Sequence, residues 1–403
     1  MENTFVSYEK AQEILDENVF EIINEKIPIE LCNNRVLTED LIADRDFPPY
    51  DRVTMDGIAF NYSSYQNSNR DFVIESVSAA GTPEPTLNNL SSCIEVMTGS
   101  MLPVNCDTVI RYEDLTISKN IANIKKIVVN KGQNIHKKGS DINKKDIIVT
   151  SGCKISSAEI NIAAAVGKKK IQVAKLPNVI VISTGDELVD IDEKPLPFQI
   201  RRSNVYGIQN SLEDWGLKVD LGHLSDDKLI MQEKISSYLK YYDLLIFTGG
   251  VSKGKFDFLP DVLQELKVVK HFYKIQQRPG KPFWFGSSKD GSKIFALPGN
   301  PVSSFVCLNI YVKYWIDKSL GLSTKKIKVE LLDEIRFDPN LVYFPEAKLY
   351  FQPNGSIGAK AILGNGSGDF VNLVNTDGFL ILPQERKKFR KGEIYEFVPY
   401  RKL

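Results

Sequence analysis

Eleven residues, Phe247-Thr-Gly-Gly-Val-Ser-Lys-Gly-Lys-Phe-Asp257, follow the apolar run Asp243-Leu-Leu-Ile246 and carry three glycines, two lysines, a serine and a closing aspartate. Glycine lets a backbone approach a ligand closely, and successive N–H groups ahead of a helix attract anions. Gly249, Gly250 and Gly254, with the Ser252 hydroxyl and two ammonium groups, have the composition of a phosphate or oxyanion cradle. The spacing is neither G-x-x-x-x-G-K-[ST] nor G-x-G-x-x-G. The same composition also suits a tight structural turn.

Asp257 sits awkwardly beside such a cradle unless a cation joins acid to anion. Magnesium bridging a carboxylate and a phosphate is the usual solution. Asp226, at the preceding strand-to-helix junction, is a candidate second ligand. Helix N-capping is the other reading of both aspartates. The three histidines show no metal spacing, so a metal here would take oxygen ligands.

Three further stretches could bear on the same chemistry. Ser183-Thr-Gly-Asp-Glu-Leu188 ends another apolar run. Leu297-Pro-Gly-Asn-Pro-Val-Ser-Ser304 places Pro301 at a helix start and Ser303 in its first turn, or else is a rigid connector. Arg278-Pro-Gly-Lys-Pro282 sets Arg278 and Lys281 on a stiff turn, four residues after Lys274, as an oxyanion clamp or a solvated loop. Met55-Asp-Gly57 and Thr98-Gly99 read by spacing alone as turns.

These residues need elements to hold them. Asn178–Ser183 is continuously apolar, as in a strand buried on both faces. Strands are expected at 218–224, 243–247, 268–275 and 293–297, with helices at 203–215, 228–240, 258–266 and 301–320. Asp226-Asp227 stands ready to cap the second of these helices. The alternation predicts a doubly wound α/β domain with a mostly parallel sheet, which binds ligands beyond the carboxyl ends of its strands. Residues 7–19 and 156–166 read as helices. From Asp44 to about Lys145, short Val/Ile runs punctuated by Gly, Pro and Asn predict a β module inserted after a helical start. After Thr324 the pattern is that of a small β domain.

The chain has 403 residues, 42% hydrophobic and 25% charged, and a formal net charge of zero. That size predicts several domains, and the charge balance argues against a dedicated nucleic-acid binder. No basic, then apolar leader opens the sequence and no segment suits a bilayer, so a cytoplasmic protein is expected. The five cysteines are scattered, which predicts neither a disulfide framework nor a zinc cluster.

With these clusters in order, the chain resembles the molybdopterin molybdenumtransferase family, which includes the C-terminal domain of gephyrin. The matching pieces are Thr54-Met-Asp-Gly-Ile-Ala59, Met97-Thr-Gly99, Pro103-Val-Asn-Cys-Asp-Thr-Val-Ile110, Ser183–Leu188, Thr248–Gly254 with Asp257, Arg278–Pro282 and Leu297–Ser303. They span nearly the whole chain.

The resemblance implies an elongated helical segment (1–43 with 146–176), an inserted β module (44–145), an α/β domain of the pterin adenylyltransferase type (177–323) and a C-terminal β-barrel domain (324–403). It implies a homodimer, without nucleic acid or membrane, that meets other cofactor-biosynthesis proteins and recipient molybdoenzymes. The implied reaction inserts molybdenum from molybdate into adenylylated molybdopterin with Mg2+-dependent release of AMP. Asp226 and Asp257 would then hold the metal. Asp56, Thr98, Asp141, Asp186, Glu187, Lys274 and Arg278 would be active-site groups. Gly249, Gly250, Ser252, Gly254, Lys281, Pro298, Pro301 and Ser303 would bind substrate. Four positions depart from the family pattern: His136 and Ser140 stand where arginine and glutamate are common, and Lys348 and Asn372 where an arginine and a serine are common. The rival readings are a non-catalytic molybdopterin-binding scaffold or carrier, and a pterin adenylyltransferase.

Overall fold

The computed structural model describes residues 5–67, 69–126, 128–251, 257–323 and 326–402. The chain divides into two compact units. One comprises 1–25, 34–36 and 173–403, the other 26–33 and 37–172.

The first unit opens with helix α1 (Tyr8–Asp16). Ser7 caps it by accepting the Lys10 N–H at 3.1 Å, and Ala11 and Leu15, four apart, form its buried stripe.

In the second unit, β1 (Gly57–Phe60), β2 (Asp71–Ser78), β3 (Cys93–Val96), β4 (Thr108–Arg111), β5 (Leu115–Ser118) and β6 (Ile121–Ile124) form one sheet in the order β4-β1-β3-β2-β6-β5. Alternation along β1 divides its side chains between two cores. Ile58 and Phe60 pack with Phe72 and Ile110, while Ala59 packs with Ile94 and Val109. Helix α2 (Ser157–Ala165) follows later and starts with a capping box between Ser156 and Glu159.

The larger unit is built on strands β7 (Val179–Thr184), β8 (Val219–Leu224), β9 (Leu244–Thr248), β10 (Val269–Tyr273), β11 (Trp284–Ser287) and β12 (Lys293–Leu297). Their order is β8-β7-β9-β12-β11-β10. The first four are parallel, and β11 and β10 complete the edge in antiparallel fashion. Helices α3 (Ser203–Asp214), α4 (Lys228–Tyr241) and α5 (Leu259–Glu265) cover the sheet. The continuous apolar run of β7 explains the two layers. Val179 and Val181 join a core with Val205 and Leu212 of α3, whereas Ile180 and Ile182 join one with Met231 and Ile235 of α4. Each such side chain contributes about 1.5–3 kcal/mol by leaving water.

The expected 301–320 helix is not uniformly α-helical. It runs as α6 (Pro301–Cys307), one π segment (Leu308–Val312) and α7 (Lys313–Ser319). Every residue of the π segment is buried, and the Tyr311 hydroxyl bonds the Gln277 side-chain oxygen. A wider turn there lets two packed faces of different phase share one helix.

The chain ends in a closed five-stranded barrel of β13 (Ile327–Leu331), β14 (Glu346–Phe351), β15 (Ile357–Ala361), β16 (Gly378–Ile381) and β17 (Ile394–Pro399), in the order β13-β15-β14-β16-β17. Closure leaves no free sheet edge. Val329, Leu349, Leu380 and Phe397 lie in its core.

Candidate functional site

Register fixes the site. In the parallel sheet Thr184 is paired with Leu224, Ser183 with Thr248, and Thr248 with Leu297. The carboxyl ends of β7, β8, β9 and β12 are therefore level. The loops that leave them carry Gly185–Glu187, Asp226, Gly249–Val251 with Asp257, and Pro298–Asn300.

These loops enclose a cavity of about 340 Å3 whose wall includes Glu187, Asp226, Asp257, Gly249, Gly250 and Pro298. The polypeptide holds the acids in place. Asp227, not Asp226, caps α4, accepting the N–H groups of Leu229 and Ile230 at 2.9 and 3.0 Å. Asp226 instead faces Asp186. Its backbone N–H donates to the Asp186 carboxylate at 3.0 Å, and its carboxylate accepts the Asp186 N–H at 3.4 Å. Burial raises the Asp226 carboxyl above the ordinary aspartate range. The Asp186 N–H opposes that rise, while the charges of Asp186, Glu187 and Asp257 add to it. Asp257 lies one residue ahead of Phe258, the N-cap of α5.

Negative charge concentrated in a half-buried cavity beside glycine backbone fits a divalent cation with oxygen ligands. Among the described residues no group of three or more His, Cys, Asp or Glu is arranged to hold a metal ion unaided. Two carboxylates with substrate oxygens and water therefore fit better than an all-protein cage.

Gly249 and Gly250 have φ of +96° and +66°, in the left-handed region. A Cβ on Gly250 would meet the Thr184 hydroxyl at 2.8 Å, and one on Gly249 would meet it at 2.9 Å. Only glycine admits this approach. Thr184 is 3% exposed, and its hydroxyl has no hydrogen-bond partner among the described residues. It borders both the acidic cavity and a neighbouring one of about 270 Å3, whose wall includes Arg201, Arg202, Ser203 and Pro301. The Asn204 amide ties the start of α3 to this region, donating to Gly299 O at 2.8 Å and to the Thr248 hydroxyl at 3.1 Å.

A third cavity, of about 470 Å3, lies between the α/β sheet and the barrel. Arg278, Lys281, Pro298 and Ser303 line it on one side and Glu346 and Ser367 on the other. The Arg278–Pro282 turn is stiffened from below. The buried Gln277 amide donates to Pro279 O at 3.1 Å and Gly280 O at 3.0 Å. Gly280, at φ +86°, leaves no room for a side chain, since a Cβ would lie 2.7 Å from the Cys307 thiol. Asn300 borders all three cavities and donates to the Ser367 hydroxyl at 2.9 Å.

Glu187, Asp226, Asp257, Gly249, Gly250, Pro298, Pro301, Arg278, Lys281 and Ser303 thus line one connected set of cavities, and Asp186 braces Asp226 from behind. Lys274 lies outside those walls, with its ammonium 5.0 Å from the Tyr273 ring centroid. Ser252 and Gly254 fall outside the described residues. Thr184, Asn204, Asn300 and Glu346 line or brace the cavities without standing out in the sequence, because each belongs to a motif read for its neighbours, to the first turn of helix α3 or to a barrel strand. Lys348 is exposed on β14 and pairs in register with Lys360, while Glu346, two residues earlier, reaches the cavity.

Asp56, Thr98 and Asp141 belong to the other unit. Asp56 accepts the Thr98 N–H at 2.6 Å, and the Thr98 backbone and hydroxyl hold its carboxyl below the usual range. Asp141 accepts from His136 Nε2 at 2.7 Å, while Arg52 meets His136 Nδ1 at 3.0 Å. Arginine can only donate, so Nδ1 accepts and the proton on Nε2 points to Asp141. Departure from the arginine pattern at His136 therefore leaves Asp141 hydrogen-bonded.

Family models match the chain in three blocks. These are the MoeA N-terminal region (domain I and II) over residues 6–167, a probable molybdopterin binding domain over 180–318, and the MoeA C-terminal region (domain IV) over 328–400. A Synechocystis protein named molybdopterin molybdenumtransferase is 41% identical over 366 residues, which is 90% of this chain and 92% of its own. A Haemophilus influenzae protein of the same name is 29% identical, over 97% of each chain. The crystal structure of a molybdopterin biosynthesis moeA protein from Pyrococcus horikoshii superposes with a TM-score of 0.82 at 27% identity, over 98% of this chain and all of that one.

Proposed function

The chain belongs to the molybdopterin molybdenumtransferase family, and from that premise we propose that it inserts molybdenum from molybdate into adenylylated molybdopterin, with release of AMP, to give molybdenum cofactor. The observation that carries this reading is the acidic cavity of Glu187, Asp226 and Asp257 opening beside a cationic one, with Pro298 and Asn300 shared by both walls. An acid cluster suits a metal–phosphate group, and paired cations suit an oxyanion.

In this reading Asp226 and Asp257 hold magnesium, which when bound neutralises the phosphoanhydride and so favours departure of AMP. Asp186 orients Asp226 through their reciprocal hydrogen bonds, and Glu187 adds charge that retains the cation. The Gly249–Gly250 backbone lies against the nucleotide phosphates, and Ser252 and Gly254, outside the described residues, are assigned to binding the same substrate. Arg278 and Lys281, with Ser303, hold molybdate near the dithiolene sulfurs, chiefly a proximity effect. Lys274 supports the positive field, Pro298 and Pro301 shape the wall, and Asp56, Thr98 and Asp141 take part in the same reaction. The enzyme works as a homodimer in the cytoplasm, and its α/β domain shares the pterin adenylyltransferase architecture.

The acids weigh against a scaffold or carrier, which has no use for a metal site. The N-terminal and C-terminal blocks weigh against a stand-alone adenylyltransferase. The test is to mix protein, adenylylated molybdopterin, molybdate and magnesium, then follow AMP by chromatography and cofactor by reconstitution of an apo-molybdoenzyme. Molybdate-dependent AMP release with active reconstituted enzyme supports the transferase. Nucleotide binding without either product supports the carrier.

A further inference from the structure

Glu346 is an unusual wall residue for a cavity that faces Arg278 and Lys281. It is 8% exposed, at the start of β14, and its backbone oxygen accepts from Ile362 N at 2.9 Å. The Asn372 Nδ2 group donates both to Glu346 Oε2 and to Ile362 O at 2.7 Å, so its two protons are both engaged. Oε1 takes no hydrogen bond among the described residues. Asn372 and Asp369 beyond β15 act on this carboxyl directly, and Arg278 and Lys281 on the turn, Ser303 on α6 and Tyr343 ahead of β14 line the same cavity. Asp369 is itself held by the Asn365 N–H at 2.8 Å.

The charge balance poses the question. Two cations match a tetrahedral dianion, but an ionised Glu346 in the same wall would repel it. A protonated carboxyl would instead donate a hydrogen bond to one of its oxygens. The environment leans that way. Burial raises the Glu346 carboxyl above the ordinary range, the Asn372 N–H opposes this, and the Asp369 charge reinforces it.

We infer that Glu346 acts as a neutral hydrogen-bond donor to the oxyanion held by Arg278 and Lys281, so that molybdate enters this cavity together with one proton. This rests on the reading of the cavity as the molybdate site. Arginine and lysine keep their charge across the neutral range, so Glu346 is the group that makes anion capture respond to pH. The bound state carries more protons, and affinity therefore falls as pH rises.

The experiment is titration calorimetry of the full chain with sodium molybdate, in pairs of buffers of different ionisation enthalpy, from about pH 5.5 to about pH 8. The wild-type protein should take up about one proton per molybdate at the upper end, with affinity falling by as much as about tenfold per pH unit. Glu346→Gln keeps the shape, the bond from Asn372 and a donor. It should bind without proton uptake and with a flat pH profile, and more tightly than wild type at the upper end. Wild-type binding that is flat with pH and takes up no proton overturns the inference without reference to any variant. So does uptake that survives in Glu346→Gln. Arg278→Ala separates the two ideas, because unchanged molybdate affinity in that variant removes the cavity itself as the molybdate site.

Discussion

Asp186 and Asp226 hold each other through their backbones, the N–H of each donating to the carboxylate of the other at 3.4 and 3.0 Å. Two acids from adjacent βα loops are thereby locked together, and Asp226 is turned to the cavity that Asp257 also lines. The arrangement is unfavourable without a cation and favourable with one.

Asp257→Ala removes one of the two proposed metal ligands from a loop outside the hydrophobic cores. Magnesium-dependent AMP release should drop by about a hundredfold or more, because a bound metal is worth several kcal/mol of charge stabilisation. The circular dichroism spectrum and melting temperature should stay close to wild type. Unchanged turnover would remove Asp257 from the metal site.

Thr184→Val keeps the volume and deletes a buried hydroxyl that has no partner among the described residues. Stability should hold or rise slightly, since an unpaired polar group is lost. A hydrogen bond to a charged group is worth about 1.5–3 kcal/mol, so kcat/KM for the pterin nucleotide should fall roughly tenfold to a hundredfold. A purely structural threonine would leave kcat/KM unmoved.

Gly280→Ala places a Cβ 2.7 Å from the Cys307 thiol and 2.8 Å from the Gln277 amide, at φ +86°. Left-handed strain and overpacking together should cost about 2–4 kcal/mol in urea unfolding. Molybdate affinity should fall with it, because the same turn aims Arg278 and Lys281.

Asp190 is hydrogen-bonded by Arg202 and Tyr206, and chiefly the Arg202 bond lowers its carboxyl to about 2. A depressed acid stabilises the fold above its unfolded value near 3.8 and loses that contribution as pH falls towards 2. Asp190→Asn should therefore melt lower than wild type at neutral pH, and the gap should close on acidification. A gap that stays constant with pH would show that the pair adds nothing ionic.

The α/β domain was the legible part of the sequence, and the reason is physical. Strands buried on both faces must be apolar throughout, and Asn178–Ser183 and Asp243–Phe247 show that pattern against polar helices. The observed strands start and end within a residue of those runs. Less legible was Trp284–Ser287, where Gly286 interrupts the short aromatic run that supplies the antiparallel strand β11. The Gly-rich turn, the Arg278–Pro282 turn and the acids stood out because rare residue types cluster there. Glu346 did not, because it alternates with the core residues Ala347 and Leu349 onto the outer face of the barrel, where a glutamate looks solvent-facing until the neighbouring cavity covers it. Lys348 and Glu346 are two apart and share one face of β14, so what separates them is which end of the strand the cavity covers, a tertiary contact that the strand pattern does not carry.

The π segment at Leu308–Val312 has a consequence for how one helix serves two masters. An extra residue in a turn advances every later side chain by about 100° around the axis relative to uninterrupted α-helix. Upstream of it, Ser303 looks onto the cationic cavity. Downstream, Trp315 packs on Phe20 at 4.7 Å between ring centroids and donates to Asn18 O at 3.0 Å. The insertion works as an angular gear, setting the cavity end of the helix independently of the end that clamps the amino-terminal segment. A single deletion within 308–312 would keep the helix and its hydrophobicity, yet put those two ends out of step.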